Sequence, residues 1–128
     1  MKKILGLIAG LTLGAMTFAQ TGIVFTDAAD ETYDKTATTE FHFDFGSDIT
    51  LETINESATY YTDYFTVSAE AKGEGHAVTV TLVEDTEMSR RVIARFLATA
   101  SSFKTPINVN GTDWQVKDFV EEHIVVPD

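Results

Sequence analysis

The chain of 128 residues has no cysteine, only two prolines, and nine lysines and arginines against twenty aspartates and glutamates. The missing thiols exclude a disulfide scaffold, a thiolate zinc centre, a cysteine nucleophile and a lipoprotein anchor. The shortage of cations leaves a net charge of −11. That balance argues against nucleic acid, whose phosphates need clustered lysine and arginine, and against anionic lipid surfaces. Long apolar runs are also missing: the stretch from Ile4 to Phe18 is about fifteen residues, short of the ~20 that span a bilayer. No G-x-S-x-G, H-E-x-x-H or phosphate-binding glycine loop occurs, so the expectation is a non-catalytic protein without a resident cofactor. Apolar residues, by contrast, make up 44% of the chain, enough for one core and one domain at this length.

The opening residues, MKKILGLIAGLTLGAMTFAQ, contain the three parts of a secretory signal. Lys2 and Lys3 supply the positive start, the segment from Ile4 the apolar body, and Thr17-Phe18-Ala19 a small-x-small cleavage site. Residues 1–19 are therefore read as a leader removed after Ala19. Gly6, Gly10 and Gly14, with no charge following to stop transfer, argue against a retained anchor. Cleavage removes two lysines and no acid, leaving seven cations against twenty acids, a net −13. The expected location is the periplasm or the exterior of a bacterial cell, where a protein without cysteine depends on its core alone for stability.

Residues 20–39 show no sustained period and read as a loose acidic arm, with one short edge strand at 22–26. Residues 40–128 read as a single α+β domain. Phe41, Phe43 and Phe45 alternate with Glu40, His42 and Asp44, the period of a strand. Gly46 breaks it, and Asp48 is placed to cap a helix carrying Leu51, Ile54, Ala58 and Tyr61 on one stripe. Period two returns with Phe65, Val67, Ala69 and Ala71, passes the turn Lys72-Gly73-Glu74-Gly75, and resumes with Val78, Val80 and Leu82, which predicts a hairpin. Thr86 opens a second helix through Met88, Val92, Ile93, Phe96, Leu97 and Ala100. Thr105 to Val109 is a short strand ending at an Asn110-Gly111 turn. Thr112-Asp113-Trp114-Gln115 then matches a capping box leading into a terminal helix; the alternative is an Asn-Gly hairpin with Thr112–Val116 as its return strand.

This order predicts a ferredoxin-like split βαβ arrangement with an extra C-terminal helix, the helices lying on one face of an antiparallel-rich sheet. The other face would show Glu40, His42, Asp44, Thr66, Ser68, Glu70, Thr79 and Thr81 to water. Over about residues 39–109 the arrangement resembles the small ferredoxin-like modules that include heavy-metal-associated domains. The first βα loop, Gly46-Ser47-Asp48-Ile49, lacks their Cys-x-x-Cys, so the resemblance carries no function.

Four groups of residues are candidates for binding. His42 and Asp44 share a strand face about 7 Å apart, and Glu70 on the hairpin could add a third ligand for Zn²⁺ or another divalent metal. The acids Asp27, Asp30, Glu31 and Asp34 could gather Ca²⁺, although they do not match an EF-hand loop. Arg91 and Arg95, four apart on the second helix, form with Arg90 the basic patch, suited to the protein's own acids or to a partner's anionic group. Tyr60 and Tyr64 fall outside the core period and could form an exposed aromatic contact patch. The function expected is that of an exported, acidic accessory domain binding an envelope or secreted protein, or a second copy of itself as a homodimer. The alternative is a divalent-metal carrier using His42, Asp44 and the acidic arm.

Overall fold

The computed structural model describes residues 22–101 and 105–128; the expected leader lies outside them. The protein is α+β, with one mixed sheet of six strands and three α-helices. The elements run β1 (Ile23–Phe25), β2 (Glu40–Phe45), α1 (Leu51–Ala58), β3 (Phe65–Lys72), β4 (Gly75–Leu82), α2 (Glu87–Ala100), β5 (Ile107–Val109), β6 (Thr112–Trp114) and α3 (Val116–His123). Short 3₁₀ turns occupy Asp27–Ala29, Lys35–Ala37 and Thr59–Tyr61.

Alternating side chains build the core. Ile23 and Phe25 of β1 stand opposite Phe45 and Phe43 of β2, while Phe41 and Phe43 stand opposite Val80 and Val78 of β4. All are buried, together with Ile54 of α1, Ile93, Phe96 and Leu97 of α2, and Phe119 and Val120 of α3. All three helices therefore cover one sheet face. Each buried phenylalanine removes enough apolar area from water to contribute roughly 1.5–3 kcal/mol, and Phe119 adds edge-on contacts to Phe25 and Phe43 with centroids 5.0 and 6.0 Å apart.

The strand order is β3-β4-β2-β1-β5-β6. The ferredoxin order would make β2 and β5 neighbours, and this expectation is corrected: β1 lies between them, antiparallel to β2 and parallel to β5. The segment read as a loose arm with an edge strand thus supplies a strand in the sheet interior. Its Ile-Val-Phe sequence is short, but both of its edges are hydrogen-bonded, and the Gly46 N–H extends the ladder to the Gly22 carbonyl at 2.7 Å.

Two local expectations also change. Thr50, rather than Asp48, caps α1, accepting from the Thr53 N–H at 3.2 Å. Asp48 instead accepts from the Gly22 N–H at 3.0 Å and so helps hold the start of β1. The capping box at Thr112 is not formed: Asn110 and Gly111 have φ of 51° and 89°, the positive pair of a tight hairpin turn, and β6 returns along β5 before α3 starts at Val116. Thr86 caps α2 as its sequence implied, accepting from the Ser89 N–H at 3.0 Å.

Candidate functional site

The open sheet face carries the residues first suspected of metal binding, in a different partnership. His42 lies between two carboxylates, Glu40 of its own strand and Asp27, which its sequence neighbourhood does not suggest. Its Nδ1 donates to Asp27 Oδ1 at 2.8 Å and its backbone N–H to Asp27 Oδ2 at 2.9 Å. Its Nε2 lies 3.2 Å from Glu40 Oε1. The two carboxylates sit at opposite edges of the imidazole, so an ion bound at either ring nitrogen would have only one of them on its side of the ring. Asp44 pairs with Lys72 at 2.7 Å. Glu70 is across β4 from Asp44, both in register with Ala77, about two strand spacings or ~10 Å apart. His42, Asp44 and Glu70 are therefore not brought together. Among the described residues no group of three or more His, Cys, Asp or Glu side chains is placed to hold a metal ion.

Local turns engage the acids of the former arm. Asp30 accepts from the N–H and hydroxyl of Thr32 at 2.9 and 2.7 Å, and Asp34 does the same with Thr36 at 3.0 and 2.6 Å. These hydrogen bonds to the charged form hold both carboxyls below their ordinary range. The segment is fastened to the C-terminal region as well. Tyr33 donates its hydroxyl to the His123 carbonyl at 2.6 Å, and the Lys35 ammonium donates to the Glu122 carbonyl at 3.0 Å.

The three arginines of the basic patch have separate roles. Arg90 is 1% exposed. Its guanidinium donates to Asp85 Oδ1 at 2.7 Å, to the Lys35 and Thr38 carbonyls at 2.9 and 2.7 Å, and to the Ile124 carbonyl at 2.8 Å. It lies 5.5 Å from the centre of the Phe41 ring. Arg91 bridges α2 to α3, pairing with Glu87 at 2.8 Å and with Glu121. Arg95 has no hydrogen-bond or ion-pair partner among the described residues and lines a groove of about 920 Å³ between α2, the approach to β5 and the first turn of α3.

The tyrosines divide similarly. Tyr64 is half-buried and packs on the core, and Tyr61 stacks on Phe65 at 5.8 Å. Tyr60 is 74% exposed beside Tyr61. Val83, 60% exposed, continues β4 by donating its N–H to the Tyr64 carbonyl at 3.0 Å. These exposed apolar side chains stand where β3, the outermost strand, begins.

A further motif escaped the sequence reading: Ser101-Ser102-Phe103-Lys104 has the S-x-x-K spacing of certain serine acyl-enzymes. Ser101 is buried at the end of α2 and donates its hydroxyl to the Leu97 carbonyl at 2.8 Å, a helix-end contact; Lys104 is outside the described residues. Among the described residues no helix is long and apolar enough to cross a membrane. No protein-family model, curated protein or solved structure matches this chain.

Proposed function

We propose that this chain is an exported, acidic, non-catalytic binding domain of the cell envelope or extracellular space, and that it docks a protein partner along the free edge of β3. The observation that carries the reading is the exposure of Tyr60, at 74%, beside the start of that edge. β3 spans eight residues and pairs only with β4, so its outer backbone N–H and C=O groups can accept one more strand. Strand addition takes affinity from those main-chain bonds and specificity from flanking side chains. An exposed tyrosine supplies a large anchor at low entropic cost. Glu70 and Lys72 place charge on the same strand, which limits indiscriminate edge pairing.

The test is a crosslinked pull-down of the exported chain from its own envelope fraction. The expected result is one near-stoichiometric protein crosslinked within 65–72, with Tyr60→Ala weakening its binding by ~1–2 kcal/mol, about tenfold. Crosslinks confined to other surfaces, affinity unchanged in Tyr60→Ala, or recovery of the bait alone as a dimer would each overturn the proposal. The N-terminal residue of the recovered protein tests export separately: Gln20 is expected, and a retained Met1 refutes cleavage.

A further inference from the structure

Six cationic side chains lie among the described residues outside the histidines, and four have partners within the protein. Lys35 donates to the Glu121 and Glu122 carbonyls, Lys72 to Asp44, Arg90 to Asp85 and three carbonyls, and Arg91 to Glu87 and Glu121. The remaining pair, Arg95 and Lys117, have no such partner among the described residues. In a chain with more than twice as many acids as bases, unpaired cations would be expected to find carboxylates. Instead both line the same groove, the one of about 920 Å³, and none of its described lining residues is acidic.

The rest of the lining is mainly apolar. Ala94 and Ala98 line it from α2, Val116 from α3, Pro106 from the approach to β5 and Tyr61 from the turn after α1. Alanines on α2 keep that wall low, which is why space remains between the helices. The volume lies in the range of small-molecule sites, which typically combine an apolar body with a few orienting polar groups. Water solvates an isolated guanidinium or ammonium adequately, so the cations alone specify nothing; an apolar groove bounded by cations and free of acids does.

We propose that this groove binds an amphipathic anion, a carboxylate with an apolar alkyl or aromatic body. The carboxylate is held by Arg95, whose planar fork suits a bidentate grip, with Lys117 as a second positive charge. The hydrocarbon lies along Ala94, Ala98 and Val116. The reading does not require the partner edge at β3: Tyr61 lines the groove, but Tyr60, the anchor proposed there, does not.

The test uses the full chain and decanoate as probe, followed by titration calorimetry, with decanol and decyltrimethylammonium as neutral and cationic controls. Saturable one-to-one binding of decanoate is expected, at least tenfold tighter than either control. Arg95→Gln should weaken it about tenfold and Lys117→Gln several-fold, while Tyr60→Ala leaves it unchanged. Both charge variants alter exposed, unpaired side chains, so their melting temperatures should match that of the parent and loss of binding cannot be assigned to misfolding. No saturation at millimolar decanoate, equal affinity for decanol, or undiminished affinity in the Arg95→Gln, Lys117→Gln double variant would overturn the proposal. A failure here with Tyr60-dependent partner capture intact would leave the proposed function standing, and the reverse result would do the opposite.

Discussion

Arg90→Met is the perturbation whose cost can be worked most directly from the structure. Methionine keeps most of the buried stem and its packing near Phe41, and removes all five donors. Two carbonyls lose their partner, Thr38 in the segment after β1 and Ile124 beyond α3, while the Lys35 carbonyl keeps the Thr38 N–H at 3.3 Å and loses one of two donors. A buried acceptor left unsatisfied costs ~1–3 kcal/mol. Thr38 is half-buried and regains some water, while Ile124 is fully buried, so the sum is about 2–4 kcal/mol. Asp85 contributes little, because its side chain is 46% exposed and rehydrates when the cation is gone.

The assay is urea unfolding, where a slope of ~1.5 kcal/mol/M would turn that cost into a midpoint shift of roughly 1.5–2.5 M. Arg90→Lys should recover only part, since an ammonium cannot reproduce a planar fork spanning four acceptors. Hydrogen exchange adds a local readout: the Ala37 and Thr38 amides, bonded to the Asp34 and Lys35 carbonyls, should lose protection before the sheet does. Asp85→Asn should cost under about 1 kcal/mol. A loss below about 1 kcal/mol for Arg90→Met, or an Asp85→Asn loss equal to it, would refute the assignment of Arg90 as the tie between the two ends of the fold.

Two further perturbations test other parts of the fold. At Gly75 an added Cβ would lie 2.1 Å from the Phe45 carbonyl oxygen, so Gly75→Ala should force β4 away from β2 and cost about 2–3 kcal/mol. Gly73→Ala meets nothing but adopts φ +59° and should cost only ~1 kcal/mol; equal losses in thermal unfolding would contradict the close approach. Burial among Trp114, Phe119 and Phe25 pushes the His123 imidazole below its ordinary 6.5. The unfolded chain therefore takes the proton first, and stability should fall as pH drops through 6.5. In His123→Phe this contribution is absent, and the two proteins' unfolding free energies should diverge between pH 7 and 5; parallel curves would refute it.

The elements legible in the sequence are those whose period repeats within a continuous stretch. β2 shows three phenylalanines on one face, β3 and β4 alternate across a glycine turn, and α2 carries its stripe through fourteen residues. β1 and β6 are three residues each, too short for a period to register. Their pairings are fixed by distant strands: Ile23 meets both Phe45 and Ile107. The site suffered likewise. Alternation alone groups His42 with Asp44 on its own strand and Glu70 on the hairpin, whereas its Nδ1 partner Asp27 comes from a segment without period. One missed signal was present, since Arg90 lies three residues before Ile93 and seven before Leu97, on the apolar stripe of α2. A charged residue at such a position either breaks the stripe or is buried with partners.

The insertion of β1 also explains how so acidic a chain folds. Asp27, Asp30 and Asp34 follow β1 directly and accept from His42, Thr32 and Thr36, while Arg90 donates to Asp85 and to the Lys35 and Thr38 carbonyls of the same region. Carboxylates that would repel one another in a loose arm become the fasteners of its turns, and four of the six described lysines and arginines are engaged internally. The open sheet face is left polar and acidic, the opposite side of the sheet from the helices. At physiological ionic strength exposed charges are screened beyond ~8 Å, so those acids act weakly across the thickness of the sheet and its helix layer. A local positive field beside Arg95 and Lys117 is therefore compatible with a net charge of −11. On this account, raising salt should weaken decanoate binding while leaving the docking proposed at β3, which would rest on backbone hydrogen bonds, largely unaffected.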